Sequence, residues 1–438
     1  MPTEDFVIEI SGTHDAHLIV GLTLGKGREE EGWNRAVMKR LVVSLLIALI
    51  ASTTPALGIE LEEIPSCRLV AKSCVPAKFI KQANSKSLSD PAILVVDPTD
   101  LTELHFNRPD SPSIPASVLK ILTSFTALTY LGGSYQFTTS IHSVESSTAL
   151  VIQGARDPWM TMYRSVSEKY GPVYAPDLIA KVLPREDLRA GNRIKREIFY
   201  HGLYPSDVAG LTAHFKARNV RLIFTPVSKS EAESLSFEPL REIRSATIDQ
   251  MVEFVIRFSD NRLSQRLAEH AAVAHGYKRN IKGMQRTFED ALLTRTIGID
   301  GLVIKDGSGL SKENRVTART VVDLLRTIRD VPEYGSIYTG LPKSGKTGTL
   351  KTRFKETSPD AVGLVKAKTG WVNGTVSLAG YITAGEKELV FAVLADRIPK
   401  YYSATLRARA SIDRMIGSLA KPKEAINEEQ AISGSQTP

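Results

Sequence analysis

The chain has 438 residues, 42% of them hydrophobic and 24% charged, an ordinary globular composition that allows a sizeable core and sets aside a wholly disordered protein. Its length fits two or three domains. A net charge of +8 suits an anionic partner, but no arginine-rich run or zinc-finger spacing points to nucleic acid, and a solvated basic surface is the simpler reading.

In chain order, residues 1–37 are mixed and polar. Met38 reads as a natural start, so this extension is expected to be a mis-called start, or disordered if made. Residues 38–58, MKRLVVSLLIALIASTTPALG, have a positive start, an apolar run of eleven broken only by Ser44, and small residues at Ala56-Leu57-Gly58. That is the layout of a secretory signal peptide. The run is shorter than the roughly 20 residues that span a bilayer, so export without a stable membrane span is expected. Export permits a disulfide between Cys67 and Cys74, and two free thiols remain the alternative. No histidine and cysteine cluster has metal-ligand spacing, and no cofactor is implied.

Ala92–Asp97 (AILVVD) reads as a strand, with 104–106 as its hairpin partner. From Ala116 the apolar residues recur at three and four, through Val118, Leu122, Phe125 and Leu128, until Gly132-Gly133 stops the pattern. Ser117 is therefore expected at the first turn of a long buried helix. Residues 141–245 change character, with short strand-like pieces and charged stretches, and read as an inserted subdomain. Helical periodicity returns over 247–274. Segments 377–383 and 389–394 form a plausible hairpin, 402–420 a closing helix, and 421–438 a polar, disordered tail.

Three short motifs carry chemistry. In S-V-L-K, Lys120 stands three residues after Ser117, on the same helical face, where a buried amine can take the hydroxyl's proton. In Ser259-Asp260-Asn261, the sole Ser-x-Asn of the chain, a hydroxyl and a carboxamide can face one cleft. Lys-Thr-Gly occurs at 346–348 and at 368–370. The second copy ends a strand-like LVKAKTG, where alternation puts Lys366 and Lys368 on one face, so Lys368, Thr369 and Gly370 are preferred. Gly340–Thr347 fits a phosphate-loop pattern, but no buried strand precedes it and no apolar helix follows, so nucleotide is not an expected partner. No G-x-S-x-G elbow exists, and Ser308 comes nearest.

The ordered set S-x-x-K, S-D-N, K-T-G resembles the signature of penicillin-binding proteins and serine β-lactamases. PASVLKILTSFTALTYLG, LVIQGARDP, FSDNRLSQRLAEH, KDGSGLSKENRVT, GTLKTRF and VKAKTGWVNGTVSLAGYI resemble the D-alanyl-D-alanine carboxypeptidase/endopeptidase family, the low-molecular-mass class C penicillin-binding proteins. The resemblance covers roughly 90–420. It implies an α/β transpeptidase-like fold, an antiparallel sheet flanked by helices with a helical subdomain carrying SDN. The catalytic domain would comprise 59–140 and 246–420.

It also implies Ser117 as acylated nucleophile, Lys120 as base, Ser259 as proton relay and Asn261 as carbonyl ligand. Lys368 and Thr369 would face the substrate carboxylate, with the N–H groups of Ser117 and Trp371 as oxyanion hole. Peptidoglycan peptides would be the substrates, β-lactams covalent inhibitors, and the periplasm or another exported compartment the location. Two departures stand out. Trp371 replaces the small hydroxyl residue usual after K-T-G, and the 141–245 insert is shorter than in larger members. A serine β-lactamase and a catalytically inactive peptidoglycan-binding homologue are the rival readings.

Overall fold

The computed structural model describes residues 74–185, 188 and 194–423, together with two short strands, Val7–Ile10 and Leu18–Gly21, which pair antiparallel. The expected signal segment at 38–58, Cys67 with its possible bridge to Cys74, and the tail beyond 423 lie outside the described residues. The two short strands belong to a unit covering Met1–Ser66, and every other element to a second unit, Cys67–Pro438.

The strand Ala92–Asp97 is buried at all six positions, and a strand buried on both faces needs cover on both. It receives it. Ala92, Leu94 and Val96 join a core built with the helices Leu119–Leu131, Ile248–Phe258, Asn261–Ala274, Ile281–Leu293 and Ala318–Asp330. Ile93 and Val95 join a second core with the helices Ala77–Ala83 and Tyr402–Gly417. The strand sits inside a five-stranded sheet with the order 365–372, 375–384, 387–395, 92–97, 102–107, every neighbouring pair antiparallel. Val365–Val372 is thus an edge strand. Val365 and Ala367 belong to the second core, so Lys366 and Lys368 share the opposite face, as the alternation predicts. The arrangement is the α/β sandwich expected of the penicillin-binding transpeptidase fold.

Residues 138–244 build more than the expected scattered strands. They form a second five-stranded sheet, ordered 220–226, 194–201, 150–154, 138–143, 239–244, in which the first three strands run parallel. Its own core includes Ile141, Ile152, Ile198, Leu211 and Phe215. Charge hid one interior strand in the sequence: Lys195, Arg196 and Glu197 belong to Ile194–His201, and the run up to Arg196 reads as a charged stretch. Among the described residues no helix is long and apolar enough to cross a membrane.

Candidate active site

Ser117 lies one step earlier in the fold than its motif suggests. Ala116–Val118 form a 3-10 turn, and the α-helix proper begins at Leu119. The turn is entered through Ala116 at φ +47°, a left-handed conformation that a residue with a Cβ adopts only under constraint. The constraint is visible. Ser377 Oγ, from the strand next to the edge strand, donates to Pro115 O at 2.6 Å, and a Cβ on Gly370 would lie 2.7 Å from the same oxygen. The helix ends where Gly132 takes φ +79°, the predicted stop.

Lys120 is fully buried and reaches back over that turn. Its Nζ lies 3.0 Å from Ser117 Oγ, 2.8 Å from Asn261 Oδ1 and 2.5 Å from Ser308 O. Burial pulls the amine down to about 8, against the opposing pull of the Asp306 and Asp260 carboxylates. An amine titrating there supplies a useful fraction of free base at neutral pH.

The SDN segment is a break between two helices. Ile248–Phe258 ends on Ser259, itself left-handed at φ 62°, ψ 39°. Asp260 caps the next helix by accepting from Leu263 N at 2.7 Å, and Asn261 is that helix's first residue. The abrupt turn sends the two polar side chains to different lysines of one cluster. Ser259 Oγ accepts from Lys368 Nζ at 2.9 Å, while Asn261 Oδ1 accepts from Lys120. Asn261 is exposed, leaving its amide nitrogen open to a ligand.

Lys368 is fully buried, and burial together with the nearby charge of Lys120 holds it well below the usual lysine range. It also donates to Thr369 O at 3.0 Å. Thr369 Oγ1 meets Thr349 Oγ1 at 2.8 Å. Ala367 N donates to Pro342 O, outside the sheet, so alternation aims the N–H groups of Thr369 and Trp371 at the same open edge. The indole of Trp371 is half exposed and turned toward the closing helix. Its Nε1 lies 3.4 Å from Thr405 Oγ1, with the Arg409 guanidinium 5.7 Å from the ring centre. The ring therefore packs behind the edge strand.

Sequence reasoning singled out DGSGLS without giving it a task. Asp306 accepts from the N–H groups of Ser308, Gly309 and Ser311 at 2.6–2.7 Å, which curls the loop so that Ser308 O points at Lys120. Burial works to raise Asp306, yet these hydrogen bonds hold it below the ordinary carboxylate range. Gly309 at φ +83° brings the loop against the nucleophile turn, where a Cβ would fall 2.0 Å from Ala116 O. The residue pattern D-x-S-G is the signal that could have assigned this role. The first Lys-Thr-Gly copy is also close by: Lys343 bridges to Lys366, and Thr347 Oγ1 accepts from Lys343 N at 2.9 Å. It forms a supporting loop and contributes Thr349.

A serine within 3.0 Å of a buried lysine amine three residues on, faced by a Ser-x-Asn corner and a lysine-bearing edge strand, is the arrangement expected of a penicillin-recognising serine enzyme. Residues 78–166 and 223–418 match the D-Ala-D-Ala carboxypeptidase 3 (S13) family, and the chain belongs to that family of serine peptidases. It is 34% identical over 166 residues to a D-alanyl-D-alanine carboxypeptidase of Actinomadura sp., a match spanning 36% of this chain and only 30% of that protein. It is 25% identical over 354 residues to the carboxypeptidase DacB of Mycolicibacterium smegmatis, spanning 70% of this chain and 76% of the relative. In fold it resembles penicillin-binding protein 4 of Haemophilus influenzae, solved with a β-lactam, at a TM-score of 0.59 and 13% identity, covering 77% of this chain and 98% of that one. A predatory endopeptidase of Bdellovibrio bacteriovorus is similar at a TM-score of 0.56 and 14% identity, covering 76% of this chain and 94% of that one.

Proposed function

We propose that this protein is an exported D-alanyl-D-alanine carboxypeptidase that trims peptidoglycan stem peptides through a Ser117 acyl-enzyme, with endopeptidase action on cross-links open to the same chemistry. The observation that carries this reading is the contact of the buried Lys120 amine with Ser117 Oγ at 3.0 Å. The free amine takes the Ser117 proton as Oγ attacks the carbonyl carbon of the penultimate D-alanine. The N–H groups of Ser117 and Trp371 receive the oxyanion, at the helical turn and the open strand edge. As the C–N bond breaks, Ser259 Oγ passes its proton to the leaving amine and receives in turn the proton that Lys120 took from Ser117, which leaves Lys120 a free amine again. Lys368 supports that hydroxyl and, with Thr369 and the approach permitted by Gly370, takes the terminal carboxylate. Asn261 holds the peptide carbonyl. Water then attacks the ester carbon, giving a proton to Lys120, and as the C–Oγ bond breaks Lys120 returns that proton to Ser117 Oγ and the shortened peptide leaves as its acid.

The signal-like segment at 38–58 supports export to the periplasm or an equivalent compartment. The separate sheet and core of residues 138–244 support reading 141–245 as an insert within a catalytic domain of 59–140 and 246–420. Benzylpenicillin is expected to add its full mass to the purified protein, and Ser117→Ala to abolish the adduct. Muropeptide digestion is expected to release single D-alanines. A wild-type protein that gains no mass and releases none overturns the proposal.

A further inference from the structure

The helix that opens with Asn261 carries two buried polar residues that the reaction does not use. Arg266 donates to Pro158 O at 3.1 Å and to Ser206 Oγ at 2.8 Å, lies 3.6 Å from Asp207 Oδ1, and stacks with its guanidinium 3.6 Å from the centre of the Tyr204 ring. His270, one turn on, meets Arg156 O at 2.8 Å and Tyr204 Oη at 3.0 Å. Every one of these partners lies between the strands of the second sheet, in the segments 154–160 and 201–207. The helix is thus gripped by that sheet's loops within two turns of the active site.

The grip contains an unresolved charge. Asp157 and Asp207 are both almost wholly buried. Asp157 Oδ1 accepts from Trp159 N at 2.8 Å and Asp207 Oδ1 from Ser206 Oγ at 3.2 Å, but the Oδ2 atom of each is buried without a donor. The two carboxyls repel, and one buried guanidinium neutralises one of them. The other charged or titratable groups facing them are Arg262, which pulls on Asp207, and Arg156, Glu269, His270 and Arg279 around Tyr204. Burial drives His270 down to about 3, so it is neutral, and Glu269 pairs with Arg279. Neither supplies a second counter-charge.

We infer that Arg266 is a positioning residue through which the 138–244 sheet sets the Asn261 helix, and that this clamp is whole only while the Asp157–Asp207 pair holds one proton. The inference rests on the proposed function for the role of Asn261. Burial raises Asp157 to about 7, so the proton is lost in the neutral range. Because this carboxyl binds its proton more tightly folded than unfolded, the stability it lends is full at acid pH. It falls as pH rises toward 7 and is gone above.

The test follows benzylpenicillin acylation rate and thermal midpoint from pH 5 to pH 9 in wild type, Asp157→Asn, Arg266→Lys and Arg266→Met. The ratio of the Asp157→Asn rate to the wild-type rate is expected to climb several-fold through pH 7, with the midpoint of wild type falling below that of the variant over the same range. Arg266→Met is expected to slow acylation more than Arg266→Lys, which keeps the charge. A rate ratio and a midpoint difference that stay flat across this range overturn the inference. Should Asp157→Asn not fold, Asp207→Asn removes the other carboxyl. The thermal measurement needs no activity, so a protein that forms no adduct fails the proposed function while the clamp is still judged.

Discussion

Gly370→Ala tests the packing that holds the nucleophile. Gly370 does not have a positive φ, so its backbone accepts alanine and only space forbids it. The new Cβ would fall 2.0 Å from Ser377 Oγ, 2.7 Å from Pro115 O and 3.2 Å from Ala116 Cβ. Ser377 can rotate away, but it then abandons its 2.6 Å hydrogen bond to Pro115 O, in a fully buried setting. Leaving those groups unsatisfied costs about 1–3 kcal/mol. The remaining overlap with Pro115 O is backbone against Cβ, and such overpacking adds about 1–3 kcal/mol. Both strains fall on Pro115–Ser117, the turn that places Oγ under Lys120. A displacement near 1 Å there is expected to slow acylation by roughly 10²-fold. Thermal unfolding reads the first effect and benzylpenicillin acylation kinetics the second. The double variant Gly370→Ala, Ser377→Ala relieves the 2.0 Å clash and is expected to recover part of the stability but little of the rate. A single variant that folds as stably and acylates as fast as wild type refutes the reasoning.

Two further outcomes follow from the same geometry. With Lys120 as the proposed base, acylation in the Asp157→Asn background is expected to rise with pH and reach half its plateau near 8, where burial has brought the amine. Lys120→Met removes the base and is expected to cost roughly 10²–10⁴-fold. A rate that stays flat from pH 6 to pH 9 would exclude Lys120 as the base. Trp371→Ala keeps the backbone donor and deletes a ring that contacts Thr405 and Arg409, so the acylation rate is expected to stay within about tenfold while stability drops by about 0.5–1 kcal/mol for the lost cation–π contact. A loss of more than roughly 10²-fold in acylation would place the indole in the cleft after all.

The cluster explains why neither lysine stands alone. Lys120 has three acceptors, one from each of three distant segments: Ser117, Asn261 and the carbonyl of Ser308. Lys368 ties Ser259 to the edge strand. Asp306, nearby, is held below the ordinary carboxylate range by three backbone donors and so offsets the buried Lys120 amine without touching Ser117. A Ser-x-x-Lys pair by itself would be an ordinary exposed helix face. Here other segments exclude water from it, which is what the proposed roles of nucleophile and base require.

Local pattern made much of this legible. The apolar run ending at Asp97 read as a strand, and the three-and-four spacing after Ala116 as a helix that Gly132-Gly133 stops. Alternation along VKAKTG put Lys366 and Lys368 on one face before any contact was known. These features depend on neighbours within a few residues, so sequence carries them. The strand Ile194–His201 was hidden because the charges in its first half continue a charged stretch, and its place in the sheet is decided by strands on both sides. The carbonyl of Ser308 has no side-chain signature, and the left-handed Ser259 is a consequence of two helices meeting. The side-chain chemistry of the site was thus written in the residue types. The direction in which Trp371 points, and the sharing of one arginine by two buried aspartates, were settled by packing between segments well separated in the chain, because only packing removes water from a charge.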